Sequence, residues 1–413
     1  MGISTVLFYI LTFLAVYVQV FFLVTFIENR DKIKRRTGET KLSKYPAVTV
    51  MVPCWNEEKT VYGTVRSLLA LNYPMDKLNI FLIDDGSTDG TYAAIKRFEK
   101  YNNITIFKKE NGGKHTALNL GLQHAKTDFV ACLDADSSAD PQALARLMSY
   151  FERDPKIMAI APSIIVRDPK SLTQHAQKAE YHMAVYVKKM LGFLGAIHVT
   201  PGPLTVFRKK VFEDLGPYRK AHNTEDMEIA YRMQTNGYKI EQCHDAYIYT
   251  GTPPSVRTLY KQRVRWIYGF INNTIDYRSI IFRKKYGNFA WFTIPSGIIS
   301  VLAAIYLFSR FASKIGHFIA EKFTHVSAVG FDFTPKAPSF DPFFFNASSL
   351  LFITIFLYSS VILSMIIGHR MANGKWGFSI NMVYFFCIFS VAAPFWLAKA
   401  IFATVFARKP AWR

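Results

Sequence analysis

The stretch Val48-Thr-Val-Met-Val-Pro-Cys-Trp-Asn-Glu-Glu58 passes from an apolar run straight into a polar cluster. A short, unbroken apolar run marks a strand covered on both faces, as in a parallel sheet. The same change recurs twice. Asn79-Ile-Phe-Leu-Ile83 leads into Asp84-Asp85-Gly86-Ser87, and Phe129-Val-Ala-Cys-Leu133 leads into Asp134-Ala-Asp136. Ile104-Thr-Ile-Phe107 reads as a further strand, while Thr60–Leu71, Thr91–Tyr101 and about Thr116–Ala125 have helical spacing. Alternating strand and helix over about Ala47–Tyr249 predict an α/β domain, with a mostly parallel sheet and helices on both faces. Ligands of such sheets bind beyond the C-terminal strand ends. The three polar clusters therefore share one rim.

Outside this region the chain is apolar and basic. Of its 413 residues 50% are hydrophobic, and the formal net charge is +20. That excess suits an anionic membrane surface or an anionic substrate. No recognition motif accompanies it, so nucleic acid is not an expected partner. The four cysteines, Cys54, Cys132, Cys243 and Cys387, are far apart and show no metal-type or disulfide pattern. Ile3–Ile27 carries no charge and is long enough to cross a bilayer. It lacks the basic front end of a cleaved signal. Arg30, Lys32, Lys34, Arg35, Arg36, Lys41 and Lys44 follow, which places the α/β domain in the cytoplasm by the positive-inside rule. Three more apolar spans are expected at about Phe289–Phe308, Ser348–Gly368 and Phe378–Ala398. The connecting His369, Arg370 and Lys375 then fall on the cytoplasmic side. Four crossings put both ends of the chain outside, against the preference of Arg408, Lys409 and Arg413 for the inside. A break at Pro394 and Lys399, making the last span a partial or re-entrant hairpin, is one way out of that conflict.

The polar clusters carry the chemistry. Asp134 and Asp136 flank one small residue, and alternation along an extended chain points both carboxylates to one side. Two hard oxygen ligands on an open loop suit Mg²⁺ or Mn²⁺ shared with a diphosphate; a surface carboxylate pair is the plainer reading. Asp84-Asp85-Gly86-Ser87 is either a turn or a place where a carboxylate accepts from a nucleotide base or ribose. Asn111-Gly-Gly-Lys-His-Thr116 is not a Walker A loop, because Lys108 stands where that motif needs glycine. Lys114, ahead of a helix, can still reach a diphosphate. Thr224-Glu225-Asp226 precedes a helical pattern, Met227–Asn236. Thr224 reads as a helix cap, or the carboxylates as a general base and its support. Gln262-Arg-Val-Arg-Trp266 lies in a basic, aromatic stretch, Tyr260–Phe270. It is read as an interfacial amphipathic helix, with Arg265 and Trp266 also placed to meet an anion and a ring.

Taken in order, Pro53–Glu58 with Asn56-Glu57-Glu58, Asp84-Asp85-Gly86-Ser87, Asn111-Gly-Gly-Lys114, Asp134-Ala-Asp136, Thr224-Glu225-Asp226 and Gln262-x-x-Arg265-Trp266 resemble the membrane-bound inverting glycosyltransferases of family 2. That family includes the synthases of cellulose, chitin, hyaluronan and poly-N-acetylglucosamine. The resemblance covers roughly residues 46–270. It implies a GT-A-type, Rossmann-like mixed-sheet domain embedded between transmembrane helices. The implied division is an N-terminal transmembrane helix (1–29), a cytoplasmic glycosyltransferase domain (46–250), amphipathic interface helices (251–285) and a C-terminal membrane region of about three helices (286–413). It implies a nucleotide-sugar site of Pro53, Asn56, Glu58, Asp84, Asp85, Lys114, Asp134, Ala135, Gln262, Arg265 and Trp266. Asp84 and Asp85 would contact the uridine. Asp134 and Asp136 would hold Mg²⁺ or Mn²⁺, and Asp226 would be the catalytic base, supported by Glu225. Thr200-Pro-Gly-Pro-Leu-Thr205 resembles an acceptor-side strand, making Gly202, Pro203 and Trp266 acceptor contacts; Pro201 departs from the Ser or Cys usual there. With no long regulatory segment after the apolar region, ligand gating of the bacterial cellulose type is not expected. The implied partners are a UDP-sugar (N-acetylglucosamine or glucose), a glycan or lipid acceptor and plasma-membrane lipids, with an oligomer or partner subunit left open. The implied activity is processive synthesis and translocation of a β-linked polysaccharide. The alternative is a ceramide glucosyltransferase-like glycolipid synthase. A scaffold or transporter, in which the acidic motifs are remnants, is the reading from another class.

Overall fold

The structure is a computed structural model that describes residues 3–33, 38–329 and 349–409. Lys34, Arg35, Arg36, Ser348 and Arg413, used above, lie outside the described residues. The strands are β1 (Val48–Cys54), β2 (Leu78–Asp85), β3 (Ile104–Lys109), β4 (Phe129–Cys132), β5 (Ser137–Ala139), β6 (Ile157–Val166), β7 (Val206–Arg208) and β8 (Lys239–Thr250). The first helices are α1 (Ile3–Asn29), α2 (Val61–Leu69), α3 (Thr91–Lys96), α4 (Lys114–His124), α5 (Ala143–Arg153) and α6 (Leu172–Phe193). They are followed by α7 (Lys210–Leu215), α8 (Glu225–Thr235), α9 (Val256–Asp276), α10 (Ile294–Val329), α11 (Ser349–Asn373) and α12 (Ile380–Val405).

The eight strands form one sheet in the order β3-β2-β1-β4-β7-β6-β8-β5. β1 shows why the apolar runs are unbroken. Val48, Val50 and Val52 pack under α2 with Val61, Val65 and Leu68, while Met51 belongs to the core on the other face with Ala117 and Leu118 of α4. Both faces are covered, so neither can be polar. The sheet is mixed, as the family resemblance implied. β1, β2, β3 and β4 are parallel, as are β6 and β8, but β7 runs antiparallel between β4 and β6, and β5 antiparallel to β8. β5 and β7 have three residues each, too short for an alternation to register. α3 also stops short of Tyr101. From Phe98 onward the amides bond three residues back, in turns, and Phe98 and Tyr101 lie against each other.

Four helices are long and apolar enough to cross a membrane: α1, α10 with the turn before it, α11 and α12. α1 docks through Phe22 and Phe26, both against Tyr186 of α6. The break expected at Pro394 is absent, since α12 runs continuously through it. A proline removes one helical hydrogen bond, and here its ring is buried within the helix contacts.

Candidate active site

The site stands on the rim the sheet register creates. β1 and β2 end side by side, with Cys54 opposite Asp84, and β4 runs beside β1 with Cys132 opposite Met51. The clusters that follow these strands therefore lie together.

Asp84 and Asp85 divide the work. Asp85 accepts from Lys109 Nζ at 2.6 Å, from the Gly112 amide at 3.1 Å and from the Gly113 amide at 2.9 Å. Its carboxylate is thereby engaged in pinning the Asn111-Gly-Gly loop. Asp84 accepts from the Ser87 amide at 3.2 Å, but its Oδ2 is buried without a partner. Asn56 and Glu58 brace the neighbouring loop. Asn56, with φ of 55°, accepts from the Thr88 amide at 2.9 Å, and Glu58 from the Gly90 amide at 3.2 Å. Pro53 is the next-to-last residue of β1.

Asp134 and Asp136 are not on extended chain, which corrects the reasoning that paired them. The Ser137 amide bonds back to the Asp134 carbonyl at 3.0 Å, closing a turn, and Thr64 Oγ1 holds the Ala135 carbonyl at 2.8 Å. The carboxylates are close all the same. Asp136 is pushed up to about 6, first by burial and then by the charge of Asp134. A buried carboxylate whose charge is disfavoured by a second one beside it forms a place for a cation. Among the described residues no third metal-type side chain joins them, so ligand oxygens and water would complete a coordination shell.

Lys114, the first residue of α4, joins two motifs. Its Nζ lies 2.6 Å from Asp134 Oδ1 and 3.3 Å from Glu225 Oε1. Burial works against its charge, but Asp134 and Glu225 outweigh it and hold the ammonium protonated. Gly202 presses on this bridge: a Cβ there would stand 2.5 Å from Lys114 Nζ and 2.9 Å from Asp134 Oδ1. Lys114, Cys132, Pro201, Gly202, Glu225 and Asp226 line one small pocket; Pro203 is buried and is not part of that lining.

Glu225 and Asp226 open α8. Asp226 Oδ1 accepts from the Met227 amide at 2.9 Å, and its carbonyl accepts from Thr200 Oγ1 at 2.8 Å. Its carboxyl is pushed up to about 6, by burial first and by Glu225 next, against the opposing pull of Lys114 and Arg265. Thr224 makes no side-chain cap. Its hydroxyl instead accepts from Asn273 of α9 at 2.9 Å. Gln262, Arg265, Trp266 and Gly269, at i, i+3, i+4 and i+7, share one face of α9. Gln262 Oε1 on that face is buried without a partner.

Two contacts went unread in the sequence. Arg263 pairs with Glu180 of α6 at 2.6 Å and lies 4.4 Å over the Trp266 ring, fixing that indole by a cation–π contact. Asn273 ties α9 to Thr224, beside the candidate base. The only local signal was an arginine inside the Gln-x-x-Arg-Trp run. Its partner is 83 residues away.

Gly269 tests how tightly α9 and α8 are locked. A Cβ at this position would collide with the Thr224 side chain, including its Cβ, which cannot swing aside. Gly269→Ala is expected to lose about 1–3 kcal/mol by overpacking. Thermal unfolding in detergent should show a clear drop. Gly63→Ala, where a Cβ meets nothing within 4 Å, should show no loss.

Residues 49–216 match the family model described as Glycosyl transferase family 2. The chain carries a family 2 glycosyltransferase domain. A poly-beta-1,6-N-acetyl-D-glucosamine synthase of Staphylococcus epidermidis is 28% identical over 363 residues, 86% of this chain and 84% of that protein. The synthase of the same name from Staphylococcus aureus (strain COL) is 31% identical over 233 residues, 56% of each. Among solved structures, the mannosyltransferase PcManGT from Pyrobaculum calidifontis, in complex with GDP-Man and Mn²⁺, superposes with a TM-score of 0.62 at 17% identity. It covers 96% of this chain and 99% of that one. The likeness shows the fold: a GT-A-type mixed sheet accompanied by long apolar helices. The family 2 domain is thus that of a glycosyltransferase.

Proposed function

We propose that this chain is a processive membrane glycosyltransferase. It would transfer N-acetylglucosamine or glucose from a UDP-sugar, with inversion, to a growing β-linked polysaccharide and pass the product across the plasma membrane from a cytoplasmic catalytic domain. The observation that carries the reading is the Lys114 bridge between Asp134 and Glu225, with Gly202 against it and Asp226 adjoining. It brings the Asp134–Asp136 turn, Glu225 with Asp226, and the Gly202 loop into one place. The similarity to poly-beta-1,6-N-acetyl-D-glucosamine synthases across most of the chain supports N-acetylglucosamine as donor sugar.

The residues then divide as follows. Asp84 Oδ2, buried and unpartnered, is suited to accept the N–H of a pyrimidine base. Asp85, Asn56 and Glu58 act through the loops they pin. Asp134 and Asp136 would hold Mg²⁺ or Mn²⁺, which when bound neutralises charge on the leaving diphosphate. Lys114 and Arg265 supply further positive charge to the same oxygens. Asp226 accepts the proton of the acceptor hydroxyl as that oxygen attacks the sugar carbon from the face opposite the departing UDP. Glu225 keeps Asp226 basic, and Trp266, braced by Arg263, offers a flat apolar surface to an acceptor ring.

The pH dependence follows from Asp226. A base must be unprotonated to act, and this carboxyl is raised to about 6 from the usual value near 3.9. Activity is therefore lost as pH falls through about 6, not through 4. The acid limb of kcat/KM for UDP release checks this. Screening UDP release over nucleotide sugars tests the donor: turnover with UDP-N-acetylglucosamine well above other donors is expected, and turnover with none would sink the reading.

A further inference from the structure

α12 has 26 residues and, at 1.5 Å per residue, a length of about 39 Å, sufficient to cross a bilayer. Its contacts are unlike those of the other three apolar helices. α1 meets the catalytic domain only near its C-terminal end, through Phe22 and Phe26, while Phe8 near its start lies under Arg310 of α10. α10 is anchored where it begins, through the bond from Thr293 to the Ala196 carbonyl at 3.0 Å. α11 meets the domain through its C-terminal half, where Met365 and Gly368 pack on Ala179 and His182 of α6 and Tyr247 of β8 donates to the Met371 carbonyl at 3.3 Å. Each has one end on the domain and the other away from it, as a crossing helix must.

α12 is held at both ends. At its start, Asn381 meets His175 of α6 at 2.9 Å. One-third of the way along, Phe389 lies 5.5 Å under Arg263 of α9. Trp396, Leu397, Ala400 and Ala403 pack with Leu259, Val264 and Tyr268 of α9, and Thr404 accepts from Asn272 at 3.1 Å. Just beyond, Lys409 lines an open cavity together with Arg219 and His222 of the catalytic domain and Tyr277 at the end of α9. A helix that crossed about 30 Å of hydrocarbon could not return Lys409 to those residues.

We propose that α12 does not cross the membrane but lies in the near leaflet beneath α9, entering and leaving on the side of the catalytic domain. Its occupant partner is lipid. Val391, Phe402 and Val405 of α12 are large, apolar and exposed, while Phe395 lies edge-on to Phe308 of α10 with ring centroids 5.0 Å apart. Lys375 and Arg370 precede the helix, and Arg408 and Lys409 follow it, where cationic side chains can reach headgroups. Three crossings, by α1, α10 and α11, also remove the charge conflict that four create. Arg408 and Lys409 join the basic residues after α1 on one face of the bilayer.

Cysteine accessibility in cells decides it. Cys387, the only exposed cysteine among the described residues, is first replaced by alanine. Single cysteines are then placed as Lys409→Cys, Arg408→Cys, Lys100→Cys on the catalytic domain and Thr324→Cys at the far part of α10, all at exposed positions. A membrane-impermeant maleimide is applied to intact and to permeabilised cells. The expected result is that positions 408 and 409 label in the same preparation as position 100, while 324 labels in the opposite one. Labelling of 408 and 409 together with 324 overturns the proposal. So does failure of both to label in any preparation in which 100 reacts, which would bury the segment within the bilayer.

Discussion

Asp226→Asn is expected to lower the rate of UDP release by about 10²–10⁴-fold, the range for loss of a positioned general base. The substitution is nearly isosteric. Asn keeps an oxygen for the Met227 amide, and the bonds from Thr200 go to the backbone carbonyl, so α8 retains its start. What is lost is a carboxylate in the small pocket that burial and the charge of Glu225 raise toward neutrality. Glu225, its neighbour, is taken by Lys114 at 3.3 Å. The effect should fall on kcat, with the KM for donor changed by less than about threefold, because a base acts in the transition state rather than in donor binding. Full UDP release by purified Asp226→Asn would refute the assignment and revive a non-catalytic reading of the acidic motifs.

Asp134→Ala is expected to be as severe, by a different route. It removes one of two carboxylates on the turn after β4 and the 2.6 Å partner of Lys114. Charge stabilisation at a leaving diphosphate is worth several kcal/mol, so kcat/KM should fall by about 10²–10³-fold. The distinguishing readout is the Mn²⁺ or Mg²⁺ titration. Half-saturation should move upward by about tenfold or more, whereas Asp226→Asn should leave it in place. An unchanged metal titration in Asp134→Ala would mean that these carboxylates do not hold the ion.

What was legible in the sequence follows from what is local. β1, β2 and β4 were readable because burial on both faces demands continuous apolar runs, and their polar ends marked the rim. The residues of the site were readable as types in order, and as a family likeness. Their pairings were not. Lys114 was expected at a phosphate, and only the folded chain brings Asp134 and Glu225 to it from 20 and 111 positions away. Asp85 was paired with Asp84 as a nucleotide contact, yet the loop geometry engages it with Lys109, Gly112 and Gly113. The Asp134–Asp136 pair was inferred from an extended chain that proves to be a turn. α12 was legible as an apolar helix, but its contacts with α6 and α9 were not. Length and hydropathy cannot tell a helix that crosses from one that lies along another, because that difference is set by what its two ends touch.

The central claim, a synthase that builds a β-linked polymer at the site joined by Lys114, is tested most directly by the product itself. The purified chain in lipid, given radiolabelled UDP-N-acetylglucosamine and a divalent cation, should release UDP and form long chains. These should stay out of organic solvent and be cut by a glycanase specific for β-linked N-acetylglucosamine. A small, lipid-soluble product carrying one or a few sugars would contradict the claim and identify a glycolipid synthase instead.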